Sequence, residues 1–258
     1  MPIARLDRSI FRLSGEDVQP WLEGLITNNL ASNINFAALL TPQGKIIADF
    51  FITQDEESFL LDTAEKFGET LLKRLRMYKL RAPIEINDIS ASHEVYAIWE
   101  GEGEEGHADP RHASLGRRLI SEDYLETEGD YNAHRLSLGV VDSAHDFETA
   151  TTFPADANME LMNGVDFKKG CFVGQEVVSR MKRMTTVKKR LRGLILEGPA
   201  KAGDKIMAGE RVIGEVYHVQ GKLGIGLIRL DRLKAAMNEP TINESAMNIM
   251  SAPDGSES

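Results

Sequence analysis

Hydrophobic positions in the first half of the chain switch between the spacing of strands and that of helices. Between residues 36 and 63, three apolar runs, FAALLT, KIIADFFIT and FLLDT, are separated by the polar segments PQG and DEES. Short apolar runs divided in this way predict a three-stranded antiparallel meander. The runs at 80–86 and 94–99 predict two more strands. Pro83 favours an edge position for the first of them, because proline has no N–H to donate to a neighbouring strand.

Helical spacing occurs in three segments. The first has apolar residues at positions 18, 21, 22, 25 and 26, and Pro20 requires that this helix either begin near Asp17 or kink. The second follows the meander, with one apolar face made of Phe67, Leu71, Leu75 and Tyr78. The third begins near Gln175 and places Val177, Val178 and Met181 on one side and cationic residues on another.

From about residue 190 the pattern becomes that of short strands with glycine-containing turns. The segments RLRGLILEG, RVIGEVYHV and KLGIGLIRL predict a small β-barrel. We therefore predict an α+β chain with a large domain at 1–185, a C-terminal barrel domain at 186–250 and a disordered tail at 251–258.

Charge is distributed unevenly along the chain. The net charge is −10, which argues against a protein that binds nucleic acid over its whole surface. The segment 168–192 nevertheless contains nine Lys or Arg residues and one acid. This basic segment is either a solvated helix face or the contact surface for one anionic partner, and a tRNA-binding module is one form of the second alternative.

The chain contains one cysteine, Cys171, so it cannot form an internal disulfide. Its first 17 residues have no apolar signal-peptide region, and no run approaches the ~18 apolar residues of a membrane span. These features predict a cytoplasmic protein with no membrane partner.

The cysteine lies in the segment KKGCFVGQE, from Lys168 to Glu176. It precedes a predicted helix N-terminus and follows two lysines, and both features stabilise a thiolate. The sequence leaves two alternatives for Cys171, a reactive or metal-binding thiol and a small buried hydrophobic residue. No second cysteine or histidine cluster accompanies it, so the chain alone supplies no iron–sulfur or zinc site.

Glu176 also has two interpretations. An acid in the first turn of a helix is stabilised by the helix dipole whatever its function. A carboxylate at a cleft between domains can instead accept N–H bonds from the amino-amide edge of a heterocycle.

The segment KGCFVGQE resembles the signature of the YgfZ family, folate-binding relatives of the glycine cleavage T-protein. Four other segments are similar to that family: LSGEDVQPWLEGLITNNL, LTPQGKIIADFFI, YNAHRLSLGV and FPADANMELMNGVDFKKG. The final strands resemble the barrel of the T-protein, so the resemblance covers about residues 6–232.

This resemblance implies a multi-lobed, T-protein-like folate-binding fold that is closed by the barrel. It implies tetrahydrofolate or a derivative as the cofactor and a role in the assembly or repair of iron–sulfur proteins, including tRNA-modifying enzymes. It makes Cys171 a reactive thiol or a shared cluster ligand, with client enzymes or assembly proteins as partners. The residues that it assigns to folate are Asn28, Asp49, Lys169, Gly170, Gly174, Gln175 and Glu176.

A departure from the T-protein bears on the alternative of a folate-dependent aminomethyl or one-carbon transferase. The enzymes carry two adjacent acids after their glycine turn, whereas this chain has Ala48 and Asp49. The first of these two acids resembles a catalytic acid, and this chain has alanine at that position. An accessory factor is therefore the preferred interpretation over an enzyme.

Overall fold

The computed structural model describes residues 1–101, 103, 105–184 and 187–255. The predicted domain boundary at 185/186 and the last residues of the predicted tail, 256–258, lie outside the described residues. Within 251–255, Ala252 is buried, so the described beginning of that tail packs against the protein.

Three helices lie where the apolar spacing predicts them, and two short helices, at 131–137 and 230–234, were not predicted from it. The helices are α1 (Val18–Glu23), α2 (Glu65–Lys79), α3 (Tyr131–Ser137), α4 (Gln175–Met184) and α5 (Leu230–Lys234). Asp17 is the N-cap of α1, and Pro20 therefore lies in the first turn, where its missing N–H removes no helical hydrogen bond. The first of the two alternatives for this helix is confirmed.

The strands before the barrel form two separate sheets. They are β1 (Ile3–Leu6), β2 (Arg8–Ser14), β3 (Ile34–Leu40), β4 (Ile46–Asp55), β5 (Ser58–Ala64), β6 (Glu85–Asp88), β7 (Glu94–Ile98), β8 (His107–Ala108) and β9 (Arg117–Ser121). One sheet has the order β3-β4-β5-β2-β6, and the other has the order β1-β7-β9-β8. The predicted meander is β3, β4 and β5, paired antiparallel.

The meander is buried on both faces, which explains why its strands read as continuous apolar runs. Every residue of β3 is buried. Phe36 and Leu40 point into one core with α3, α4 and part of the barrel, whereas Ala37 and Leu39 point into a second core with α1 and α2. The sheet therefore separates the two cores of the large region, as the alternation of side chains along a strand requires.

One predicted strand is displaced. The run 80–86 forms a strand only from Glu85, and β6 does lie at a sheet edge. Leu80 instead follows the end of α2 with a φ of 47° and is 85% exposed. The chain reverses there, so the first residues of the apolar run cannot join the sheet.

The C-terminal region is a closed barrel, as predicted. Its strands are β10 (Lys189–Leu196), β11 (Lys205–Ala208), β12 (Arg211–Gln220), β13 (Leu223–Arg229), β14 (Pro240–Ile242) and β15 (Ser245–Ile249). They close in the order β10-β13-β12-β11-β14-β15 around a third core. No helix in the described part of the chain combines the length and the apolar character that crossing a bilayer demands.

Candidate functional site

The loop before α4 is anchored on its N-terminal side by Lys169. Helix α1 ends at Glu23, and its last carbonyl groups have no donor within the helix. The Lys169 Nζ donates hydrogen bonds to the carbonyl oxygens of Glu23, Ile26 and Asn28, at 2.6, 2.7 and 2.8 Å. Burial lowers the pKa of the Lys169 ammonium to about 8, although Glu23 and Asp166 oppose this shift. Lys169 therefore ties the loop to the end of α1.

The C-terminal side of the loop is anchored by Phe172 and Gly174. The Phe172 ring is buried in the core that contains α4. Gly174 has a φ of 82°, and a Cβ there would lie 2.7 Å from the carbonyl oxygen of Thr41, in the turn between β3 and β4. Only glycine fits this position without strain. The Gln175 Nε2 donates to the Gly170 carbonyl oxygen at 3.2 Å and so bridges the loop.

Cys171 is exposed between these two anchors. The alternative of a small buried hydrophobic residue is therefore wrong. Among the described residues, no group of three His, Cys, Asp or Glu side chains is placed to hold a metal ion. A metal or cluster bound at Cys171 would take its remaining ligands from another molecule.

The other residues that the resemblance assigns to folate do not form one pocket with Cys171. Glu176 is exposed in the first turn of α4. The Asn28 side-chain amide donates to the carbonyl oxygens of Phe36 and Asn163, at 2.9 and 2.7 Å. Gly170 is exposed, and no heavy atom lies within 4 Å of the position of a Cβ.

Asp49 is buried in β4, away from the surface of the loop. Its Oδ1 accepts a hydrogen bond from the Ser143 Oγ at 2.5 Å. Burial, and after it the charge of Asp142, raises the pKa of Asp49 to about 6. Ala48, at the position of the missing acid, is also fully buried.

A buried ionic cluster, which sequence reasoning missed, joins the two sheets. The Asp62 Oδ1 accepts from the Arg8 Nε at 2.6 Å and from the Arg118 Nη2 at 2.7 Å. Arg8 and Asp62 belong to the sheet of the meander, whereas Arg118 belongs to β9 of the other sheet. The Arg118 guanidinium also stacks on the Phe51 ring, 3.7 Å from its centroid.

A second buried network joins α3 to the barrel. The Arg135 Nη1 donates to the Asp146 Oδ2 at 2.6 Å, and the His218 Nδ1 lies 2.7 Å from the Asp146 Oδ1. Arg135 is on α3, and His218 is on β12. Sequence reasoning assigned no role to any histidine, because the partners lie far apart along the chain and each residue alone has no distinctive spacing.

A cavity of about 520 Å³ lies between these elements. The polar residues that line it include Arg8, Lys66, Arg118, Asn132, Asp142 and His145. Burial opposes ionisation of Asp142, but the charges of Arg135, Arg111 and Arg8 outweigh it and hold the pKa of Asp142 below its usual range. The cavity therefore presents an ionised carboxylate beside several cations. The described residues that line it include none of the seven assigned to folate.

A second cavity, of about 650 Å³, lies beside α4. We call it the α4 groove; its apolar lining residues include Leu161, Val165, Phe167, Val178, Met181 and Val187. Lys168, three residues before Cys171, also lines it. The groove and the cysteine loop are thus neighbours on the chain.

The architecture is that of a known solved protein. The crystal structure of the glycine cleavage system aminomethyltransferase T from Bartonella henselae superposes with a TM-score of 0.74, covering 98% of this chain and 85% of that chain. The two sequences are 14% identical, so the likeness establishes the fold. The predicted T-protein-like α+β fold with a small C-terminal barrel is confirmed.

Residues 188–252 match the family model of the CAF17 C-terminal beta-barrel domain. Sequence relatives include the mitochondrial iron–sulfur cluster assembly factors IBA57 of Mus musculus and Homo sapiens. These are 28% and 27% identical, over 96% and 91% of this chain and 83% and 79% of their own lengths. The chain has IBA57 factors as homologues. A homologue from Mycosarcoma maydis is 29% identical over 71% of this chain.

The chain is thus similar to IBA57 factors in its sequence, to the CAF17-type domain in its barrel and to the T-protein in its fold, and none of these similarities singles out YgfZ. The chain spans about half of the length of the first fungal relatives, 54% and 53%. The relatives are named mitochondrial, and the cytoplasmic location of this chain stays a prediction.

Proposed function

We propose that this chain acts in iron–sulfur cluster assembly and that Cys171 donates one thiolate ligand to a cluster shared with a partner protein. The observation that carries the proposal is the exposure of Cys171 on a loop that is anchored on both sides. Iron–sulfur clusters are held by cysteine thiolates, and most clusters need four of them. A chain with one cysteine therefore needs a second molecule to complete the ligand set.

The relatives support the kind of process and the kind of partner. They are named as iron–sulfur cluster assembly factors, so the fitting partners are client enzymes or proteins of the assembly machinery. The anchored loop supports the role of the thiol. Lys169 and Phe172 are fixed on either side of Cys171. Few further rotatable bonds of the loop therefore become ordered when the thiol binds a metal, and the loss of conformational entropy is small.

The experiment is an anaerobic titration of the full chain into a [2Fe–2S]-loaded assembly protein, followed by visible circular dichroism. The wild-type chain should change the spectrum of the cluster, because one ligand is exchanged for Cys171. Cys171→Ser should leave the spectrum unchanged. A matched control moves the thiol: Ser137→Cys in the Cys171→Ser background has one exposed thiol on α3 and should not restore the change. A full change with Cys171→Ser would overturn the proposal.

The assignment of folate to these residues by resemblance stays a prediction, and their surroundings suggest looking for a second place for the ligand. Lys169, Asn28 and Asp49 use their polar atoms within the protein, and Glu176 faces solvent. We infer that tetrahydrofolate, the cofactor that the resemblance implies, binds in the cavity of about 520 Å³ between the sheets and α3. The cavity size suits a small ligand. Asp142 would accept hydrogen bonds from the pterin, and Lys66, whose side chain is exposed, suits a carboxylate of the glutamate tail.

Calorimetry with tetrahydrofolate tests this second proposal. Lys66→Glu should weaken binding by about tenfold or more, because a charged hydrogen bond is worth about 1.5–3 kcal/mol. Glu176→Gln, on the exposed turn of α4, should leave the affinity unchanged. If Glu176→Gln weakened binding and Lys66→Glu did not, the folate site would lie at the cysteine loop. An absence of binding to the wild-type chain would exclude the cofactor.

A further inference from the structure

The α4 groove is an apolar recess at the surface of an acidic protein. Its walls are the segment 154–168, the inner face of α4 and the beginning of β10. Phe167 and Met181 are each only half-buried, although both are large and apolar. Apolar side chains collected in a concave, solvent-facing recess are typical of sites that receive an apolar group from another molecule.

The charge around the groove is positive. Lys168 and Lys182 line the groove and are exposed. Three more exposed cations flank it along the chain: Arg180, Arg183 and Lys188. Within the described ranges, none of these five side chains forms an ion pair with a carboxylate, whereas the adjacent Lys189 and Arg190 do, with Asp156 and Glu160.

The acids of the groove are already engaged on the protein's own donors. Asp166 accepts from the Asn29 side chain and from the Lys168 backbone, both at 2.7 Å. Glu160 accepts through its Oε1 from the Arg190 Nη2 at 2.6 Å. The lining has three cations, Lys168, Lys182 and Arg190, against these two acids, so the groove attracts negative charge.

One buried acceptor in the groove also lacks a donor. The Glu160 Oε2 is buried and accepts no hydrogen bond from any described residue. A buried acceptor without a donor is costly, so an N–H group of a ligand that reached it would be stabilised there. The Lys182 Nζ lies 3.6 Å from the centroid of the Phe167 ring, which holds a positive charge over the apolar floor.

We propose that the α4 groove binds an acidic segment of a partner protein, with large apolar side chains of that segment inserted between α4 and the segment 154–168. The apolar floor, the unpaired cations and the free acceptor suit a peptide better than a nucleic acid, which would leave the apolar floor uncovered. The inference rests on the proposed function, because Lys168 belongs to the groove and lies three residues from Cys171. A partner held in the groove would bring its own ligands to that thiol.

The probe is a fluorescein-labelled acidic peptide with phenylalanines spaced to share one helix face, and the readout is fluorescence anisotropy with the full chain. The double variant Lys168→Glu/Lys182→Glu should weaken binding at least about tenfold, and Met181→Asp should do the same by placing a charge on the apolar floor. The matched control Lys73→Glu/Arg74→Glu makes the same charge change on the exposed surface of α2 and should leave binding unchanged.

Several results would overturn the docking proposal. Equal weakening by both double variants would mean that only overall charge matters. Unchanged affinity after serine replaces the phenylalanines of the peptide would mean that the groove is unused. Displacement of the peptide by a lower concentration of a labelled tRNA would assign the cations to nucleic acid. Self-association abolished by Met181→Asp would assign the groove to a second copy.

The same variants separate this proposal from the proposed function. Cys171→Ser should bind the peptide normally while failing to alter the cluster spectrum. Normal peptide binding by the groove variants would contradict the docking proposal, regardless of the result for the cluster spectrum. Failure of the wild-type chain to alter the cluster spectrum would remove the proposed function, whatever the peptide does.

Discussion

Cys171 is exposed because its neighbours, and not the cysteine itself, hold the loop in place. Lys169 fastens one side of the loop to three carbonyl oxygens, and Phe172 buries its ring on the other side. The two residues between them are held at the protein surface, so the thiol is exposed to solvent. This arrangement suits a residue whose role is chemical, since packing gains nothing from it.

The first prediction at this scale is that Cys171→Ser barely changes stability. Exposed substitutions away from caps and buried partners change the free energy of unfolding by about 0.5 kcal/mol or less. Urea denaturation of the variant and the wild-type chain measures this difference. A loss of about 2 kcal/mol or more would mean that the cysteine is a packing element.

Asp49 gives the second prediction, a pH dependence. Its pKa rises from 3.8 to about 6 on folding, so the folded chain binds the proton more tightly than the unfolded chain. The resulting stabilisation is complete below about pH 4 and is lost as the pH rises through 6, a change of about 3 kcal/mol. Asp49→Asn lacks this titration.

Between pH 4 and pH 7, the free energy of unfolding of Asp49→Asn should therefore gain about 3 kcal/mol relative to the wild-type chain. Urea denaturation at a series of pH values measures the difference, and the other titrating groups cancel because both chains share them. A difference that is independent of pH would mean that Asp49 is ionised throughout.

At the scale of elements, the loop before α4 depends on its contact with the turn between β3 and β4. Gly174→Ala should destabilise the chain by about 2 kcal/mol, because alanine is strained at a φ of 82° and its Cβ would meet the Thr41 carbonyl oxygen. Gly170→Ala is the matched control in the same loop. Its Cβ would have no heavy atom within 4 Å, so its effect should be small. Equal effects of the two substitutions, measured by urea denaturation, would contradict this description of the loop.

The elements that were predictable from sequence are those whose burial follows a simple period. The meander is buried on both faces and α2 on one, so both leave continuous or helical apolar patterns. Strands β1 and β2 were missed, because arginines interrupt their apolar residues. Arg8 is tolerated there only because Asp62 and the second sheet surround it, which is a tertiary effect with no local signal.

The candidate site was predictable only in part. The motif gave the cysteine and the helix that follows it, and the structure places Cys171 four residues before α4. The contact of Lys169 with the end of α1 could not be predicted, since it depends on where two distant segments meet. For the same reason, residues grouped by resemblance, such as Asn28 and Glu176, turn out to have separate surroundings.

At the scale of the whole molecule, buried ion pairs connect the lobes and the barrel. Asp146→Asn should destabilise the chain by about 3 kcal/mol or more, because it leaves the buried Arg135 without its closest charge. The matched control is Asp231→Asn, which breaks an exposed pair with Arg229 in the first turn of α5 and should cost about 1 kcal/mol or less. Urea denaturation gives the loss, and amide hydrogen exchange of β12 reports whether the barrel loosens with it. An unchanged free energy of unfolding in Asp146→Asn would contradict this role for the pair.

If Cys171 is a ligand of a cluster that a partner also holds, the two proteins and the cluster form one complex. The most direct measurement is anaerobic native mass spectrometry of the full chain mixed with a [2Fe–2S]-loaded assembly protein. For the wild-type chain, we predict a complex whose mass contains both proteins and one cluster, and for Cys171→Ser, the loss of that species. A complex that keeps its cluster with Cys171→Ser, or a cluster that stays on the assembly protein alone in the presence of the wild-type chain, would contradict the claim.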